Sequence, residues 1–224
     1  MKVLILGASG MLGRATLRQC LNSSEVKKII TPLRSNITEE NPKLEKIIIE
    51  DFLKSPNLEE LIKNNSPLTA CFICLGDGIT QFNKERYYFS NYTLPIELAK
   101  LVLKYNPQIK LSYISGIGVS LKSKIYFLRI KAEAEKKLLE LSKNVFILRP
   151  LIFYPEKDIK SKTKGYRYFY FLFRPLLFIF KFLVPQIFLT TQELGKIMIF
   201  LGKSGFDKNI LGLKELNFLI KKGS

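Results

Sequence analysis

The amino-acid sequence predicts a doubly wound α/β fold: a parallel sheet with helices on both faces, followed by a small helical region at the carboxyl end. Three observations predict it. Apolar strand-like runs alternate with amphipathic helical stretches over the first 150 residues. The first run, Val3 to Leu6, is continuous rather than alternating, as a strand buried on both faces requires. A glycine-rich turn, Gly7-Ala8-Ser9-Gly10-Met11-Leu12-Gly13, follows it directly and opens a helical stretch from Arg14 to Cys20.

Each element follows from the same reading. Strands are expected at Lys2–Leu6, Lys28–Thr31, Lys46–Ile49, Ala70–Cys74, Lys110–Ile114 and Val145–Leu148. Helices are expected at Met11–Leu21, Leu58–Lys63, Lys84–Tyr105 and Lys124–Leu141. Asn91-Tyr-Thr-Leu-Pro95 puts a proline inside the third helical pattern, which predicts a kink or break near Asn91. Residues 1–150 form the dinucleotide-binding core on this reading. Residues 151–224 form a substrate or lid region of the same domain. Within it, Glu156 to Arg167 is polar and basic, as a loop would be. Thr191 is placed as the N-cap of a helix ending near Gly202, and Ile210 to Ile220 as a last short strand or helix.

A strand, a glycine turn and a helix N-terminus together make a phosphate site. The turn lets backbone approach a diphosphate, and the free N–H groups and positive dipole end of the helix hold its charge. The end of the second strand selects the nicotinamide cofactor. An acid there binds the ribose 2′-hydroxyl of NAD, whereas an arginine accommodates the 2′-phosphate of NADP. Thr31-Pro-Leu-Arg34-Ser35 offers no acid until Glu39. Arg34 can pair with phosphate and Ser35 can donate to it. Arg14, next to Gly13, can supply a second cation. NADP(H) is therefore expected over NAD(H).

The Gly-x-x-Gly-x-x-Gly spacing, with Ala8 and Ser9, resembles the extended and atypical short-chain dehydrogenase/reductases with their Rossmann fold. More narrowly, the chain resembles the small oxidoreductases of the TIP30 (HTATIP2-like) group. The likeness also runs through Arg34-Ser35, Asp51-Phe52, Cys74-Leu75-Gly76, Tyr113-Ile114-Ser115-Gly116, Lys131, Arg149-Pro150 and Thr190-Thr191-x-Glu193-Leu194-Gly195. It implies that Asp51 accepts from the adenine amino group and that Phe52 contributes backbone. Asp51 can equally cap the next helix. Leu75 and Gly76 would border the cofactor ribose, with Pro150 nearby.

The same resemblance implies a tyrosine that passes a proton to a carbonyl oxygen, a lysine four residues later and a serine on the preceding strand. Ser115 and Lys131 fit the serine and the lysine. The residue four before Lys131 is Phe127, which has no proton to give. Tyr126 is one position further back, about 100° around the helix. Either local overwinding or a π-bulge brings Tyr126 into the site, another donor such as Tyr154 serves, or the tyrosine chemistry is absent. Ser115, Lys131 and Tyr126 are the candidate catalytic residues.

The chain contains no histidine, which excludes Ser-His-Asp and Cys-His machinery and any histidine-based zinc site. Cys71 and Cys74 have redox-like spacing. On a strand, however, residues three apart point to opposite faces and lie roughly 10 Å apart, too far for a disulfide. They read as core residues, and no metal is expected.

Lysine and arginine total 36 against 19 acids, for a net charge of +17. Such a charge bears on partners rather than fold. Tyr168 to Pro185 is aromatic but broken by Arg174, Pro175 and Lys181, so it lacks the roughly 20 apolar residues of a span. It reads as a pocket wall for an apolar small molecule. Alternatively, it dips into an anionic membrane surface beside Lys160, Lys162, Lys164, Arg167 and Lys181. No nucleic-acid motif accompanies the basic residues, so nucleic acid is not an expected partner. The opening strand leaves no room ahead of it for a signal peptide, and the expected location is cytoplasmic, with peripheral membrane contact as an option. Two functional readings follow: an NADP(H)-dependent oxidoreductase acting on an apolar or lipid-like carbonyl or alcohol, and a non-catalytic NADPH-binding sensor.

Overall fold

The computed structural model describes residues 1–78, 83–154 and 188–222. Seven parallel strands form the central sheet: β1 (Lys2–Leu6), β2 (Lys28–Leu33), β3 (Leu44–Ile48), β4 (Ala70–Ile73), β5 (Lys110–Ile114), β6 (Val145–Leu148) and β9 (Ile210–Leu211). Their order is β3-β2-β1-β4-β5-β6-β9. The chain winds outward from β1 in one direction and returns past it in the other. The reversal between β1 and β4 opens a crevice at the carboxyl edge, where ligands of such sheets bind. A separate parallel pair joins β7 (Ile152–Tyr154) to β8 (Phe188–Thr190).

Alternation along β1 divides the core. Val3 and Ile5 face one apolar layer, shared with α1 (Met11–Asn22) and α6 (Thr191–Ser204). Leu4 and Leu6 face the other, shared with α2 (Pro56–Asn64), α4 (Leu94–Tyr105) and α5 (Tyr126–Leu141). Cys71 belongs to the second layer and Cys74 packs against the first, so the two thiols point apart, as strand geometry requires. All three cysteines are free, and no metal-binding cluster occurs among the described residues. Among the same residues, no helix is long and apolar enough to cross a membrane.

Several boundaries differ from the sequence expectation for identifiable reasons. β2 continues through Pro32 to Leu33. Pairing with β1 ends at Leu4–Ile30, so Pro32, which has no N–H, pairs only with Ile47 of β3. Ser55 is the N-cap of α2, and Asp51 is not: its Oδ1 accepts from the Leu53 N–H at 2.9 Å in a local turn. The N-cap of α6 is Thr190 rather than Thr191. Thr190 Oγ1 accepts from Glu193 N at 3.1 Å, and Glu193 Oε2 accepts from Thr190 N at 2.7 Å, a capping box that fixes the helix start. Ile210 to Ile220 resolves into β9 and a separate helix, α7 (Leu213–Lys222).

The break near Asn91 is present. The long helical pattern becomes α3 (Lys84–Tyr88), a π-helical turn over Phe89–Thr93 and α4. Tyr168 to Pro185 and the basic residues before it lie outside the described residues.

Candidate active site

The glycine turn is built as a close contact between its own ends. Gly7 has φ +90°, and a Cβ there would lie 2.7 Å from the Cys74 carbonyl oxygen. A Cβ on Gly13 would lie 2.1 Å from the Gly7 oxygen, an impossible approach for any other residue. Gly10 N donates to Gly7 O at 3.0 Å and closes the turn. Gly10 is also the N-cap of α1. Among the described residues no side chain caps this helix, and no acid lies in its first turn, which suits its amide end to an anion. Ala8 is buried, while Ser9, Met11 and Leu12 are half-buried around the turn. The cradle fits a dinucleotide diphosphate, and Gly7, Gly10 and Gly13 with the intervening residues would hold it.

Leu75 and Gly76 follow β4 beside this turn. The Leu75 side chain is the third neighbour that a Gly7 Cβ would meet, at 3.2 Å. Gly76 has φ +137°, and a Cβ on it would meet Asn91 Oδ1 at 2.6 Å and Lys131 Nζ at 3.9 Å. One backbone position at the sheet edge thus borders both the π-helical turn and the lysine of α5.

Lys131 is fixed from two sides. Its Nζ donates to Tyr113 Oη at 3.3 Å and to the Ile114 carbonyl at 3.4 Å. Burial lowers its pKa to about 8, while Glu135 one turn along pulls weakly the other way. The Tyr113 hydroxyl donates in turn to the Asn91 carbonyl at 3.1 Å. Tyr113 is fully buried, and that burial raises its pKa far above the ordinary phenol range. Asn91 is fully buried too. Its Nδ2 donates to the Asp77 carbonyl at 3.2 Å and the Tyr87 carbonyl at 3.1 Å, while its Oδ1 has no partner among the described residues. The π-helical turn therefore supplies a buried amide and a carbonyl that anchor the Tyr113–Lys131 pair.

Ser115 follows Ile114 directly. Its N–H donates to Leu148 O at 2.8 Å, but its buried Oγ has no hydrogen-bond partner among the described residues. A Cβ on the next residue, Gly116, would meet no described residue within 4 Å. The Pro150 carbonyl accepts from Ile117 N at 3.1 Å and holds the next loop beside it. Behind this loop, Arg149 Nε donates to both Glu135 oxygens at 3.0 and 3.1 Å, in a pair whose carboxylate is 3% exposed.

The structure does not bring Tyr126 to Lys131. Tyr126 is the first residue of α5, which is regular α-helix without a π-bulge, and its hydroxyl donates to the Lys84 carbonyl at 3.4 Å. Phe127, four residues before Lys131, packs its ring edge-on against Tyr87 at 4.7 Å. Only the backbone of Tyr154, in β7, is described.

At the other end of the crevice, Arg34 and Ser35 follow β2 and are exposed, and no described residue pairs with the Arg34 guanidinium. Arg14 Nε pairs with Glu39 Oε1 at 3.0 Å. Asp51 is exposed and Phe52 is buried, both just beyond β3.

The glycine turn, Ser115 and Lys131 were singled out in the sequence, whereas the hydrogen bonds by which Tyr113 joins Asn91 to Lys131 were not. The only available signal was the proline-bearing pattern after Asn91, which marked the break without revealing its partner.

This arrangement defines a class of dinucleotide-binding α/β oxidoreductase-like folds. The model of the NAD dependent epimerase/dehydratase family matches residues 3–119, and the chain belongs to that family. It is 27% identical over 164 residues to the leucinostatins biosynthesis cluster protein T of Purpureocillium lilacinum, covering 72% of this chain but only 56% of that protein. It is 26% identical over 169 residues to the mitochondrial protein FMP52 of Eremothecium gossypii, covering 74% of this chain and 72% of that one. Among solved structures, dTDP-glucose 4,6-dehydratase from Bacillus anthracis in complex with NAD superposes with a TM-score of 0.68 at 18% identity. That match covers 94% of this chain and 74% of the dehydratase, and shows the shared fold.

Proposed function

We propose that the protein is an NADP(H)-dependent oxidoreductase of the atypical short-chain type, close to the TIP30 group, acting on an apolar or lipid-like carbonyl or alcohol. The observation that carries this reading is Lys131 Nζ beside Gly76 at the carboxyl edge, bonded to the carbonyl of Ile114, the residue before Ser115, whose buried Oγ has no partner among the described residues. When bound, the nicotinamide supplies or accepts the hydride. Lys131 binds its ribose, and Ser115 Oγ donates to the substrate oxygen. The proton lies with Lys131, which burial turns into a usable acid near neutral pH. Tyr126, bonded to Lys84, is not assigned that role. Arg34 and Ser35 favour the 2′-phosphate. Ile117, Leu121, Ile125 and Leu151 are exposed apolar side chains in the segments that follow β5 and β6. They support an apolar substrate.

Phe127 favours a second reading, in which the protein senses NADPH without turnover. Fluorescence titration with NADPH, followed by a screen of NADPH consumption over apolar aldehydes and ketones, separates the two. Consumption with any of them supports the enzyme. Tight binding with none supports the sensor. Cytoplasmic location and contact with anionic membrane belong to the same proposal. Fractionation and flotation with anionic liposomes test them.

A further inference from the structure

We propose that Glu39 is a specificity-determining residue: an internal competitor for the second cation of the 2′-phosphate site. This rests on the NADP(H) reading above. Arg14 follows Gly13 in the first turn of α1, where its own N–H donates to the Gly10 carbonyl at 2.8 Å, so only its side chain can reach a bound phosphate. Its side chain crosses to the loop after β2, where Nε meets Glu39 Oε1 at 3.0 Å. Glu39 is the better shielded of the two, 13% exposed against 34% for Arg14, and the contact is a close ion pair in which Nε lacks hydrogen-bond alignment. Glu39 is also held in place. Its Oε2 accepts from Thr38 Oγ1 at 3.4 Å, and Lys46 of β3 ties the loop by donating to the Ile37 carbonyl at 3.4 Å and the Glu39 carbonyl at 3.1 Å.

Arg14, directly after the glycine turn, and Arg34, at the end of β2, therefore differ. Arg34 is exposed and without a partner among the described residues, whereas Arg14 is already neutralised. A ribose 2′-phosphate carries nearly two negative charges at neutral pH, and Arg34 balances one. Arg14 balances the second only by releasing Glu39, whose carboxylate then repels the phosphate it has just exposed. A dinucleotide with a free 2′-hydroxyl demands no such exchange and leaves the Arg14–Glu39 pair intact. Glu39 thus weakens NADP(H) binding selectively and narrows the preference set by Arg34.

The test is calorimetric titration of the full chain with NADPH, NADH, 2′,5′-ADP and 5′-AMP. Glu39→Gln is expected to tighten NADPH and 2′,5′-ADP by about tenfold, the scale of one freed charge-assisted hydrogen bond. It leaves NADH and 5′-AMP within about twofold by the same reasoning. Glu40→Gln, which removes a neighbouring exposed acid, changes neither group of ligands. Adding Arg14→Gln to Glu39→Gln cancels the gain. Arg14→Gln alone is an independent arm should Glu39→Gln fail to fold: it leaves Glu39 bare toward the phosphate and weakens NADPH but not NADH. The inference is overturned if Glu39→Gln moves all four ligands alike or none, or if its gain survives loss of Arg14. Arg14→Gln affecting both cofactors equally overturns it as well. If the unaltered chain binds none of the four ligands, the dinucleotide reading itself has failed.

Discussion

Lys131 Nζ donates to the hydroxyl of Tyr113, which donates to the carbonyl of Asn91, so one buried chain of hydrogen bonds links α5, β5 and the π-helical turn. The phenol is thereby committed to holding the lysine and is not free to reach a substrate. Lys131 and Ser115 remain at the sheet edge as the groups able to donate. On this account, reduction of an apolar carbonyl slows as pH rises through about 8, where Lys131 loses its proton. A pH–rate profile flat from 6 to roughly 10 contradicts the assignment.

Phe127 and Tyr126 exchange roles in a paired substitution. Phe127→Tyr places a phenol one helical turn before Lys131, and general acids of this kind contribute about 10²–10⁴-fold. A gain of at least about tenfold in NADPH-dependent turnover is expected. Tyr126→Phe removes only the long bond to Lys84 and leaves turnover within about twofold, as an exposed surface bond should. Steady-state rates on the same carbonyl check both.

The buried Glu135–Arg149 pair supports the loop after β6. Arg149→Met strands Glu135 as a buried charge and is expected to cost about 3–5 kcal/mol in urea unfolding. The double variant Arg149→Met, Glu135→Leu costs much less, because no charge is left without its partner. Equal costs for the single and double variants contradict this.

Stability in alkali follows from two opposing shifts. Burial raises the thiols of Cys20, Cys71 and Cys74, the last to about 12. The unfolded chain loses these protons near pH 8.5 while the folded chain keeps them, so their contribution falls as pH rises above about 8.5. Lys131 acts oppositely. Its folded pKa is about 8 against roughly 10.4 unfolded, so the unfolded state binds the extra proton between those values and stability gains with pH there. The stability difference between the unaltered chain and Lys131→Met is therefore expected to shift in favour of lysine between about pH 8 and about pH 10. Denaturant melts at several pH values measure it.

The parts legible in sequence are those encoded locally. The apolar run Val3 to Leu6 and the three glycines each lie within one strand or turn, while Ser115 and Lys131, on different elements, stood out only through the family resemblance. What sequence left hidden depends on partners far along the chain. Nothing near Tyr113 signals that its hydroxyl meets Asn91, 22 residues away, or that Gly76 needs its missing side chain because Asn91 Oδ1 occupies that space. Glu39, noted only as the first acid after β2, acquires a role when the fold sets it against Arg14. The Thr190 cap carried a local signal in its three-residue spacing to Glu193, yet the sequence reading set the cap one residue later, at Thr191.

The most direct measurement is calorimetry of NADPH and NADH against the unaltered protein and its Gly13→Ala variant. The added Cβ would stand 2.1 Å from the Gly7 oxygen and force the cradle apart. The account predicts one bound dinucleotide per unaltered chain, tighter for NADPH, and at least a tenfold loss of affinity in the variant, the scale of about 1.4 kcal/mol. Absence of binding to the unaltered chain at millimolar cofactor, or undiminished binding to a folded Gly13→Ala, would contradict it.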